Sequence, residues 1–149
     1  GTLVATMGMV MAIGGMVGSQ ASTLIIRAVS KQSGQSPFAK LLSKELLVSL
    51  GLAAALAVIA FGNALFLQWF EGPAAPGTPE PTISGLRIAT VIGIAMAADV
   101  VFAAMLGASI PHLVKMLRID PALISTPAVT ALTDLTGASI YLVLVMLML

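Results

Sequence analysis

The sequence predicts an all-α membrane protein, a polytopic helical bundle with four transmembrane spans, one of them a broken helix. Three observations carry that prediction. Of 149 residues, 58% are hydrophobic and only 9% are charged, whereas a soluble domain carries roughly 25% charged residues. The few charges fall almost entirely between four long apolar runs. Each run reaches the about 20 residues that a helix needs to cross about 30 Å of hydrocarbon.

The predicted spans cover residues 2–26, 46–70, 88–114 and 122–149, all within one transmembrane domain, 1–149. The first is read as a true span and not a cleavable signal, because its basic residues follow the apolar run instead of preceding it. Ser36 and Pro37 supply an N-cap and a first-turn proline, and Phe38, Leu41 and Leu42 alternate with Lys40 and Lys44. That pattern predicts an interfacial amphipathic helix at about 37–45 leading into the second span. Asp120-Pro121 starts the fourth span, and Pro127 biases Thr126 away from helical geometry, so this span is expected to be a short piece followed by a longer one.

Composition also excludes several functions. A net charge of +1 gives no basic footprint for phosphate backbones, which argues against nucleic acid as a partner. The absence of cysteine removes disulfides, thiolate metal sites and thiol nucleophiles, and one histidine is too few for a His-cluster zinc site. Trp69 and Phe70 fit an aromatic belt, His112 a helix-end position, and the nine scattered Met are packing residues and not a soft-metal track.

Loop charges predict the orientation. Arg27, Lys31, Lys40 and Lys44 mark the first connection as cytoplasmic, and Lys115 and Arg118 mark the third. The second connection reads EGPAAPGTPEP and is expected to be an irregular extracytoplasmic loop. Both termini then face outward across a plasma (inner) membrane. A chain that starts outside, without Met and inside an apolar run, is expected to follow a preceding span.

Two features carry chemistry. In the first span Gly14, Gly18 and Ser22 form one stripe and Gly15, Ser19 and Thr23 another, spacing that allows close helix contact. Ser19, Gln20, Ser22 and Thr23 are too polar a group to face lipid cheaply, which makes Gly15 and these four candidate pore-lining residues. The second feature is a pair of intramembrane carboxylates, Asp99 and Asp134, each costing about 2.5 to 3.5 kcal/mol at a helix centre. Thr126, Thr130 and Asp134 recur every four residues, with Tyr141 seven further on, so one face of the fourth span can guide a hydrated cation. Asp99 shares a face with Ala103 and Gly107 and is a candidate second ion station; either acid could instead be a neutral, hydrogen-bonded link between helices.

The stretches GGMVGSQASTLIIR at 14–27 and DPALISTPAVTALTDLTGASIY at 120–141 resemble the membrane domain of MgtE-type magnesium channels. KLLSKELLVSLGL and LGASIPHLVKMLRIDPA fit as well, so the resemblance covers nearly the whole chain in order. It implies a homodimer in the lipid bilayer with a Mg2+-conducting pore between subunits. The chain would then lack the family's first span and its cytoplasmic N-terminal and CBS domains. Asp134 matches the family's pore aspartate, with Thr126 and Thr130 at neighbouring pore positions. Met16 and Thr126 stand where the family commonly has Asn, Thr130 replaces a small apolar residue, and Asp99 lies outside the bacterial pattern. Those departures leave Co2+, Mn2+ or Ca2+ open beside Mg2+.

Two rivals remain. An intramembrane aspartyl protease also uses two buried acids, but MAADV and LTDLTG lack its GxGD signature, so no enzyme is expected. A cation-coupled secondary carrier of divalent metals is the alternative function, although the two halves show no clear self-similarity.

Overall fold

The computed structural model describes residues 1–31, 38–71, 83–118 and 121–149, without the side chains of 29–31 and 121–126. The expected N-cap at Ser36-Pro37, the glycine- and proline-rich connection and Asp120 lie outside the described residues.

Among the described residues four helices follow one another: α1 (Thr2–Lys31), α2 (Phe38–Glu71), α3 (Gly85–Met116) and α4 (Pro121–Met148). They are 28 to 34 residues long, and at about 1.5 Å per residue each exceeds the hydrocarbon thickness. The chain is therefore a helical membrane bundle, as expected from its apolar runs. The amphipathic lead-in is not a separate element, because Phe38 to Glu45 form the first turns of α2 and no Gly or Pro separates them from the span. At the far end of α3 the chain leaves the helix through Arg118, whose φ of 60° is left-handed.

The fourth span is not broken. Helical backbone runs without interruption from Pro121 to Met148, with Pro127 inside it. A proline removes one amide donor and crowds one carbonyl, a local change that membrane helices tolerate when neighbouring protein satisfies the freed group.

Helix α3 is the centre of the bundle. It packs against all three other helices, α1 also packs along α4, and α2 barely touches α1. Between helices in lipid there is little hydrophobic driving force, so contact depends on how closely backbones approach. The residues at the contacts are accordingly small. Helix α2 buries Ser49, Ala53, Ala60 and Ala64 against α3, while Leu47, Val58, Ile59, Phe66, Trp69 and Phe70 remain exposed on its outer face. Gly93 of α3 lies so near α2 that a Cβ there would stand 3.2 Å from the Ala57 carbonyl oxygen. The tightest crossing is between α1 and α3, where a Cβ on Gly107 would run into the Gly18 carbonyl.

The ends of the bundle are pinned by polar and aromatic contacts. Thr2 Oγ1 donates to Glu71 Oε2 at 2.8 Å, joining the start of α1 to the end of α2. At the opposite end the Phe38 and His112 rings stack 3.9 Å apart, which accounts for His112 as a helix-end residue.

The Gly18–Gly107 crossing predicts an asymmetric response to alanine. Gly107→Ala forces backbone apart and should destabilise the chain by about 1 to 3 kcal/mol. Gly51→Ala, at a position with nothing within 4 Å, should leave stability unchanged or raise it. Thermal unfolding of both variants in detergent checks the difference.

Candidate metal site in the membrane

The site is organised by the glycine pair of α1. Adjacent residues on a helix point about 100° apart, so Gly14 and Gly15 meet different neighbours. Gly14 faces Asp99 of α3, and a Cβ at Gly14 would collide with that carboxylate. Gly15 faces α4, where its Cβ would stand 2.8 Å from Asp134 Oδ1 and 3.6 Å from Thr130 Cγ2. Asp99 reaches past α1 to α4 as well, because a Cβ on Gly137 would lie 2.7 Å from Asp99 Oδ1. The two intramembrane acids thus flank one pair of glycines.

Their surroundings differ sharply. Asp99 is 1% exposed, and among the described residues neither of its oxygens has a hydrogen-bond partner. Asp134 is half-buried on the α1–α4 seam, with Thr130, also half-buried, one turn away. Thr126 continues that row in the backbone, but its side chain lies outside the described residues. Among the described residues no three acidic or imidazole groups come together. The chain therefore brings two carboxylates to this region and, among the described residues, no protein cage.

Along α1 the polar residues divide between two faces. Ser19 is half-buried and Gln20 and Thr23 are exposed; with Leu24 and Arg27 they line an open cavity of about 340 Å³. Thr23 donates its hydroxyl proton to the Ser19 carbonyl at 3.0 Å, which leaves its oxygen lone pairs pointing outward as acceptors. Ser22 differs from the expectation that it lines a pore. It is fully buried, because it continues the Gly14–Gly18 stripe that turns toward α3 and α4 and not the Gly15–Ser19–Thr23 stripe beside it. Gly15 is buried under Asp134 and Thr130 and makes room for them without presenting a surface of its own.

Tyr141 does not extend the Thr130–Asp134 face. It is 2% exposed, donates to the Leu3 carbonyl at 2.8 Å and lies 2.8 Å from Thr6 Oγ1, so it ties α4 to the first turns of α1. The buried row of α4 is Val129, Thr133, Gly137 and Tyr141. Thr133 and Gly137 went unnoticed in the sequence, although their spacing of four with Tyr141 was available as a signal. Thr133 packs against Gly18 and satisfies its hydroxyl on the Val129 and Thr130 carbonyls.

Two carboxylates, one buried and one half-buried, thus stand inside a glycine-packed helical bundle. Residues 7–144 match the profile of MgtE, described as a divalent cation transporter. The chain belongs to the MgtE family. It is 33% identical over 130 residues to the magnesium transporter MgtE of Thermus thermophilus, a match that covers 87% of this chain and 25% of that relative. The chain thus spans about a quarter of the length of the curated relative it matches. MgtE proteins are transporters and not enzymes, which agrees with the missing protease signature.

The Tyr141 contacts predict a structural role separable from the acids. Tyr141→Phe removes both hydroxyl contacts to α1 and should cost about 1 to 2 kcal/mol. The check is a lower unfolding temperature in detergent with helical content retained by circular dichroism.

Proposed function

We propose that this chain forms the conducting part of a Mg2+ channel, assembled as a homodimer whose pore runs between the α1–α4 seams of two copies. The observation that carries the reading is one face of α1 on which Gly15 meets the half-buried Asp134 and, one to two turns on, half-buried Ser19 and exposed Gln20 and Thr23 line an open cavity. On a helix that is otherwise apolar, such groups are costly against lipid and favourable against water or a second polar seam. The membership in a divalent cation transporter family supports the same direction.

The seam suits a hydrated divalent ion. Mg2+ takes hard oxygen ligands and sheds its water reluctantly, so it is best held through its hydration shell. Asp134 supplies the charge, and Thr130, Ser19 and Thr23 supply oxygen acceptors along the lane. Two copies facing each other double the charge along the lane without dehydrating the ion. Binding through water is weak enough to let the ion leave, which conduction requires.

A channel and a cation-coupled carrier separate in one experiment. In liposomes containing the purified chain, Mg2+ should move down its gradient without stoichiometric proton countertransport. Asp134→Asn should reduce that flux to the level of protein-free liposomes. Unchanged flux in this variant removes Asp134 from the pathway, and obligatory proton exchange replaces the channel with a carrier.

A further inference from the structure

We propose that Asp99 and Asp134 of one subunit together form a divalent-cation seat across the Gly14–Gly15 pair, with Asp99 as an inner oxygen donor behind the pore. The proposal rests on the reading of Asp134 as a pore residue and adds to it a second ligand on a different helix.

The first argument is the condition of Asp99. A carboxylate buried in apolar surroundings is expensive unless something balances its charge and occupies its lone pairs. Asp99 has neither among the described residues. Met96, Val100 and Ala103 surround it on its own helix and are fully buried. Among the groups facing it from α1 and α4 are Gly14 and Gly137, which carry no side chain at all. A structural carboxylate would be expected to meet a hydroxyl or amide; this one instead fills the space that two glycines leave, with no hydrogen-bond partner among the described residues.

The second argument is distance. Gly137 lies three residues after Asp134, and such positions on one helix have Cβ atoms about 5 to 6 Å apart. Asp99 Oδ1 is packed against the Gly137 backbone. The two carboxylates therefore fall within reach of one ion that keeps some of its water, since metal–oxygen distances run from about 2.0 Å for Mg2+ to about 2.6 Å for Ca2+. The third argument is charge. A divalent cation neutralises both acids together, whereas a single proton or monovalent ion leaves one negative charge in a low dielectric. All-oxygen donors select Mg2+, Mn2+ or Ca2+ over softer metals.

Mn2+ binding to the purified chain, read by electron paramagnetic resonance and by competition with Mg2+, tests the seat. Asp99→Asn keeps the shape and removes the charge, so it should fold with unchanged helicity and be at least as heat-stable as the unaltered chain in metal-free buffer. Its Mn2+ affinity should fall about 10- to 100-fold, and Mn2+ should raise its unfolding temperature less. Gly137→Ala, which presses a methyl onto the Asp99 carboxylate, should weaken binding in the same direction. In the double variant Asp99→Asn with Asp134→Asn the loss should be smaller than the product of the single losses. Wild-type Mn2+ affinity in Asp99→Asn, with binding lost in Asp134→Asn, overturns the inner seat and leaves the pore reading standing. Wild-type binding and flux in Asp134→Asn overturns both.

Discussion

The close approach of α1 to α3 and α4 is the constraint on which the rest of the molecule depends. Gly18 and Gly107 let the α1 and α3 backbones converge, and Gly14 and Gly15 leave room for the side chains of Asp99, Asp134 and Thr130. Because lipid gives these helices little reason to associate, close packing must supply much of the attraction. The same convergence brings Asp99 and Asp134 to either side of one glycine pair. Packing and chemistry are thus served by the same residues, and a larger side chain at Gly14 would damage both.

That arrangement sorts the polar groups by what they can meet. Groups on the Gly14–Gly18–Ser22 stripe are enclosed by protein, whereas on the stripe beside it Gly15 meets Asp134, Ser19 is half-buried and Thr23 emerges at the surface. One helix therefore presents a sealed side and a wet-compatible side, separated by a rotation of a single residue. Helix α2 stands apart from this division: it packs small residues on α3 and turns Leu47, Val58, Ile59 and Phe66 outward, a surface suited to hydrocarbon.

Much of this was legible in the sequence. Four apolar runs of sufficient length predicted four helices, and two acids inside such runs drew attention to Asp99 and Asp134 because burying them without purpose is expensive. The spacing of small residues in α1 predicted close contact. Spacing alone did not reveal which of two adjacent stripes turns inward, and Ser22 was grouped with Ser19 for that reason. Pro127 predicted a break because its local preference is plain, yet the helix continues through it. The meeting of Asp99 with Gly137 was hidden altogether, since it joins helices through residues with no side chain to suggest a partner.

The central claim is that the α1–α4 seam carrying Asp134 faces an aqueous ion path and not lipid or sealed protein. The chain has no native cysteine, so single cysteines can be placed without a background. A charged, membrane-impermeant thiol reagent should label Ser19→Cys and Thr130→Cys in liposomes, with Mg2+ slowing the reaction, and should spare Val58→Cys on the outer face of α2. Reaction at Val58→Cys alone, or no reaction at either seam position in flux-competent protein, would contradict the account.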